Sequence, residues 1–192
     1  MTNKLELPDK LRQKVDKELE IGESIRWIGQ PIPRFFTASS MGSFLFAIPW
    51  TGFVIFWVLG ASGASIFFAM FGIPFLIVGF GMLSSPIWFW LSAKNTAYVI
   101  TNKRALSIAI PVTSFGNILS TTIRNYPPSK LKDIYRKERA DGTGDVVMGI
   151  QQNSNNFNFN NRRNNTTEEI GFMGISNPQE VEKMLRQLAE DD

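Results

Sequence analysis

The stretch FFTASSMGSFLFAIPWTGFVIFWVLGASGASIFFAMFGIPFLIVGFGMLSSPIWFWLSA, residues 35–93, decides how this chain folds. Its 59 residues include no charged side chain, although the whole chain carries 20 Lys and Arg and 17 Asp and Glu. A soluble domain does not leave so much of its length uncharged, because charge solvates its surface and breaks up apolar patches. Two apolar runs, about 41–61 and 66–91, are separated by the small residues Ser62-Gly63-Ala64-Ser65. At 1.5 Å per helical residue, ~20 residues cross a hydrocarbon core of ~30 Å, and both runs reach that length. Residues 35–93 are therefore expected to form a two-span transmembrane hairpin. It separates an N-terminal arm, residues 1–34, from a C-terminal domain, residues 94–192.

Charge near the hairpin sits on its outer flanks: Arg26 and Arg34 before it, Lys94, Lys103 and Arg104 after it. By the positive-inside rule both termini face the cytoplasm. Within the hairpin, Pro49 and Pro74 each remove a helix hydrogen bond. Gly52, Gly72, Gly79 and Gly81 thin the helix surfaces, the pattern of closely packed spans. Trp88 and Trp90 beside Lys94, and Phe35 and Phe36 beside Arg34, suit an aromatic belt at the membrane interface. No ionisable residue falls inside the spans, so a transport path formed by this chain alone is not expected.

Cys and His are both absent and the net charge is +3. Their absence excludes disulfides, thiol nucleophiles, Ser-His triads and zinc sites of the usual kind. The modest charge gives no reason to expect nucleic-acid binding. Asp141-Gly142-Thr143-Gly144-Asp145 lacks the Lys and following helix of a phosphate loop and is too short for an EF-hand, so it reads as a turn. No catalytic motif, cofactor or metal site is expected, and no small-molecule substrate.

In the N-terminal arm, Leu11, Val15 and Leu19 recur at a spacing of four and predict a short helix, with Asp9 near its start and Gly22 past its end. It could dock on the C-terminal domain or lie on anionic headgroups. Asp16, Glu18 and Glu20 dilute its basic face and favour docking. Ser24–Ile28 has strand character, with Trp27 a candidate core residue. After Tyr98 the pattern changes to short β-type runs. Tyr98–Ile100 and Ala105–Ile110 flank a tight turn at Thr101-Asn102-Lys103-Arg104. Ile118–Tyr126, Leu131–Arg139, Asp145–Gln151 and Glu169–Ile175 follow as further strands. Pro178, with Asn177 as a candidate cap, opens a final helix whose apolar face is Val181, Met184, Leu185 and Leu188. The expected fold is a mainly antiparallel β barrel or sandwich capped by a C-terminal α-helix. Gln151–Thr167, rich in Asn, is expected to be an enlarged flexible loop.

Tyr98-Val99-Ile100-Thr101-Asn102-Lys103-Arg104-Ala105 resembles the opening Y-x-I-T-[ND]-x-R hairpin of bacterial pleckstrin-homology-like domains. Ser129–Ile134, Asp141–Asp145, Gly171-Phe172 and Pro178 with the final helix continue that pattern. Leu19, Gly22-Glu23 and Trp27-Ile28-Gly29-Gln30-Pro31 resemble the G-E-x-x-x-W-x-G-x-P lead-in of membrane-anchored members. The resemblance implies a seven-stranded, helix-capped barrel at the cytoplasmic face of a bacterial inner membrane or a related membrane. It implies binding rather than a particular activity. Similar domains in photosynthetic bacteria belong to complex-assembly proteins.

The surface expected to do the binding is basic: Lys103, Arg104, Arg124, Lys130, Lys132 and Arg136, with Lys137 and Arg139 nearby. Two roles suit it. One is a protein-interaction or complex-assembly module beside another membrane protein. The other is a reader of anionic lipid headgroups, each cation near the leaflet contributing ~1 kcal/mol. Because the hairpin already anchors the chain, lipid affinity is not needed for recruitment, which favours protein contact.

Overall fold

A computed structural model describes residues 7–36, 38–110, 121–154 and 165–190. They fall into two compact units. The first combines residues 7–32 with 96–109 and the described residues from 121 onward; the second is built on residues 33–95.

The first unit opens with α1 (Asp9–Glu18), whose apolar positions Leu11 and Val15 are buried. Gly22, at a φ of +78°, then supplies the left-handed turn that leads into β1 (Ile25–Gly29). The next strand of this unit, β2 (Thr96–Thr101), lies beyond the entire apolar stretch, and the two pair antiparallel with Ile28 opposite Val99 and Gly29 opposite Tyr98. β3 (Ala105–Ala109) and β4 (Thr122–Tyr126) complete a sheet of order β1-β2-β3-β4. A second sheet has the order β5-β6-β7, from Tyr135–Glu138, Thr143–Ser154 and Asn165–Ser176. Both sheets are antiparallel and neither closes on itself.

Phe172 is the centre of the core between them. Its ring stacks on Tyr98 at 4.6 Å and on Trp27 at 6.0 Å, and meets Tyr126 edge-on at 6.5 Å. The C-terminal helix, here α6 after the helices of the second unit (Pro178–Glu190), adds Val181, Leu185 and Leu188 to this core. Tyr98 keeps its hydroxyl satisfied by accepting the Met173 N–H at 3.1 Å, and burial pushes its pKa up to about 12. Gly171 sits at a bulged stretch of β6–β7, where a Cβ would collide with the Val146 carbonyl.

Two sequence expectations are corrected here. Leu131–Arg139 is not one strand: a 3₁₀ turn (Pro128–Lys130) precedes a bend, and only Tyr135–Glu138 is extended. Leu131 and Ile134 both point into the core, three residues apart, which is turn spacing rather than strand alternation. The loop expected over 151–167 is narrower, because Gln151–Ser154 pairs in ladder with Asn165–Glu168; residues 155–164 lie outside the described residues. Ile118, expected to begin the strand to Tyr126, also lies outside them.

The second unit is a helical hairpin. Its first arm is α2 (Ala38–Ser62), with Pro49 inside it; the second is α3 (Ile66–Met70), α4 (Ile73–Leu83) and α5 (Ser85–Lys94). The single span expected over 66–91 is thus broken at Phe71-Gly72 and at Ser84. Pro74 occupies the first turn of α4, where a missing N–H costs nothing, and Pro86 does the same in α5. Two stretches, Ser40–Ser62 and Ile66–Leu83, are long and apolar enough to cross a membrane.

The arms keep one register throughout. Trp57 faces Phe68, Trp50 faces Phe75, the Ser85 hydroxyl donates to the Ser40 carbonyl, and Phe35 stacks on Trp90, so the residue numbers of each pair add to 125. The buried face of α2 is Ala47, Thr51 and Val54. Gly79 lies against Thr51 and Gly72 against Val58, in both cases so closely that a Cβ would collide. Gly52 and Gly81, expected to pack the spans, instead face open space. Gly79→Leu is accordingly expected to weaken the hairpin by ~1–3 kcal/mol through overpacking, and Gly52→Leu to leave it unchanged. Unfolding of the purified protein by graded addition of a denaturing detergent measures both.

Candidate functional site

The densest polar arrangement in the first unit joins the chain before the hairpin to the chain after it. The turn between β2 and β3 places Thr101, Asn102 and Arg104 against Gly22, Glu23 and Ser24, nearly 80 residues earlier. Asn102 and Ser24 exchange two hydrogen bonds: the Ser24 N–H donates to Asn102 Oδ1 at 2.8 Å and the Asn102 N–H to the Ser24 carbonyl at 3.1 Å. Asn102 therefore ties the turn to the Ser24 backbone.

The Glu23 carboxylate, its side chain 0% exposed, receives Arg104 Nε at 3.0 Å on Oε1 and Arg104 Nη2 at 3.0 Å on Oε2. The Thr101 hydroxyl donates to Oε1 at 2.7 Å and the Glu20 N–H to Oε2 at 2.8 Å. Burial alone pushes this carboxyl up; the hydrogen bonds from Arg104, the Glu20 backbone and Thr101 reverse that and hold it at about 2. Arg104 also reaches the Glu18 carbonyl at 2.9 Å, and so satisfies an orphan acceptor at the C-terminal end of α1. These contacts fasten the Gly22–Ser24 segment to the turn between β2 and β3.

The six basic residues expected to form one contact surface are not gathered into one. Arg104 is spent on Glu23. Arg136 contacts Glu138 at 3.3 Å and Glu182 of α6 at 3.0 Å. Lys103, at the exposed turn, lies 3.9 Å from Glu20 and donates to the carbonyl of the fully exposed Ile21. Arg124 donates to the Gln151 side chain at 3.2 Å, which bridges β4 and β6. Lys130 and Lys132 are exposed, and among the described residues they and Arg124 have no carboxylate partner. The neighbouring cations follow the same rule of pairing, Lys137 with Glu169 at 2.6 Å and Arg139 with Asp145 at 2.7 Å.

Elsewhere, Trp50, Phe53, Trp57, Phe71 and Phe75 line an apolar cavity of about 270 Å³ in the hairpin, which offers no polar group to orient a ligand. Among the described residues no three acidic side chains come together to hold a metal ion. Compared with protein-family models, with curated proteins and with solved structures, the chain matches none.

Because the Glu23 pKa is depressed on folding, its contribution is complete above its ordinary value of 4.5 and is lost as pH falls from there towards about 2. Glu23→Gln is expected to cost the first unit ~2–3 kcal/mol at neutral pH and to flatten the acid limb of its stability curve. Arg104→Lys is expected to recover little, since an ammonium cannot reproduce the two-pronged contact. Urea midpoints by pulse proteolysis, taken from pH 7 to pH 3, measure all three.

Proposed function

We propose that the chain is a two-span membrane protein carrying a non-enzymatic, pleckstrin-homology-like domain at the cytoplasmic face, where it serves as a protein-interaction or complex-assembly module. The observation that carries this reading is the pairing of β1 with β2 across the apolar stretch. Strands joined in one sheet lie in one compartment, so the intervening chain crosses a bilayer an even number of times. Two apolar helical stretches supply two crossings. By the positive-inside rule, the flanking cations favour the cytoplasm as the shared compartment.

A membrane environment is supported by how little of the hairpin is covered. Only 22% of the first candidate span and 17% of the second is buried, while Phe53, Phe56, Leu59, Phe67 and Phe80 lie open. A core helix of a soluble domain would have those side chains inside. The domain assignment is supported by the seven strands among the described residues and by the C-terminal helix, the strand number and helical cap that the Y-x-I-T-N-x-R resemblance implies.

Protein contact is favoured over headgroup recognition by charge. With Lys103, Arg104, Arg136, Lys137 and Arg139 engaged internally, Arg124, Lys130 and Lys132 remain, which gives ~3 kcal/mol at a leaflet rather than ~8 for the full set.

Lys130 and Lys132 favour the second reading, headgroup binding, and they define its test. The tagged chain is to be captured in nanodiscs directly from its native membrane and its companions identified by mass spectrometry. A stoichiometric membrane protein retained by the Lys130→Glu, Lys132→Glu double variant is the expected result. Absence of any such protein, together with an anionic phospholipid enriched over the bulk membrane and lost in the double variant, would make headgroup recognition the function instead.

A further inference from the structure

We infer that the hydrocarbon part of the hairpin ends at the level of Ser40 and Ser85, and that beyond it Phe35, Phe36 and α5 form an aromatic collar seated in the phospholipid headgroup layer. The inference rests on the two-span reading and extends it to what the base of the hairpin binds.

Constant register lets depth be counted along the arms. From the tip at Ser62-Gly63 to Ser40 is 22 residues, ~33 Å of helix, which spends the ~30 Å hydrocarbon core. Phe35 and Trp90, paired in the same register, lie five residues further, another ~7 Å. That distance matches the headgroup layer, since the whole bilayer is ~40–45 Å thick. An apolar arm of this length does not fit inside hydrocarbon.

The chemistry changes at the same level. α4 stops at Leu83 and α5 starts at Ser85. The Ser85 hydroxyl donates to the Ser40 carbonyl at 3.4 Å, Ser84 donates to the Gly81 carbonyl at 2.8 Å, and the Trp88 indole donates to the Ser84 hydroxyl at 2.9 Å. Above that polar level stand three aromatics in succession, Trp88, Phe89 and Trp90. Phe35 lies parallel to Trp90 at 5.3 Å, and the Lys94 ammonium sits over the Trp90 ring at 3.6 Å. Indole rings and a cation over an aromatic face are at home where hydrocarbon gives way to water. Ile87 and Phe89 face outward, 51% and 43% exposed, and so are available to the lipid interface.

The chain has no Cys, so single cysteines can be introduced without first removing native ones. Phe53→Cys, Ile77→Cys, Ile87→Cys and Phe89→Cys are all outward positions of the full chain. Each would carry a nitroxide label in vesicles of phosphatidylcholine and phosphatidylglycerol, with collision rates measured against oxygen and a water-soluble nickel chelate. Labels at 53 and 77 are expected to favour oxygen. Labels at 87 and 89 are expected to meet the nickel chelate several-fold more often than those at 53 and 77, while staying well below the rate of a fully aqueous label. Protection of 87 and 89 equal to that of 77 would overturn the collar and extend the span through α5. Free aqueous exposure of 87 and 89 with 77 still protected would overturn it as well, by placing α5 off the membrane. Nickel access at 53 and 77 themselves would remove the two-span reading, and the collar with it.

Discussion

The pairing of β1 with β2 is the constraint on which the first unit depends. Gly29 must meet Tyr98 although the whole apolar stretch intervenes. Closing a flexible loop of that length costs only ~0.6 kcal/mol more per doubling, but the sheet still has to recover the ordering of every residue it fixes. Within the intervening stretch, Phe35 and Trp90 stack on one another, which holds its two ends together and reduces that demand. The Glu23–Arg104 contact then fixes the register. A buried carboxylate with no cation would be costly, so only the alignment that puts Thr101 and Arg104 beside it is tolerated. Further fastenings act at the other end of the strand, where the Ile32 N–H donates to the Gly174 carbonyl at 2.7 Å and Gln30 to the Thr96 carbonyl at 3.3 Å.

Charge in this protein is largely consumed in holding the first unit together. Arg136 and Arg186 both meet Glu182, which ties β5 and α6 to one carboxylate, and Asp145 joins Arg139 while accepting the Gly174 N–H at 2.6 Å. Exposed pairs of this kind contribute at most ~1 kcal/mol each. Their larger effect is on recognition: a paired cation must give up its carboxylate before it can take a phosphate. A strip of sequence dense in Lys and Arg therefore becomes, once folded, a surface with few unengaged cations.

In the second unit, steric fit has the role that charge has in the first. Gly72 and Gly79 are seven residues apart and fall on one face of the second arm, where the absence of a Cβ lets α2 approach. Aromatic pairs at Trp57–Phe68 and Trp50–Phe75 fill the space between. Breaks at Phe71-Gly72 and Ser84 are each followed by a proline in the next first turn, where a proline leaves no helix hydrogen bond unmade.

Local pattern alone was enough to identify the uncharged stretch, the two apolar runs and their small-residue turn, the tight β2–β3 and β5–β6 turns and the amphipathic C-terminal helix. Each is written in neighbouring residues, through periodicity, Gly and Pro. The paired motifs around Gly22-Glu23 and Thr101–Arg104 were visible as a resemblance, yet nothing in either stretch says that they touch. Which glycines pack was equally hidden, because Gly52 and Gly79 differ only in the face of the helix they occupy. Only the tertiary structure decided which cations are spent and which remain, since Glu23 lies 81 residues from Arg104 and Glu182 lies 46 from Arg136. An ion pair depends on separation in space at a few ångströms, and chain separation on that scale carries no record of it.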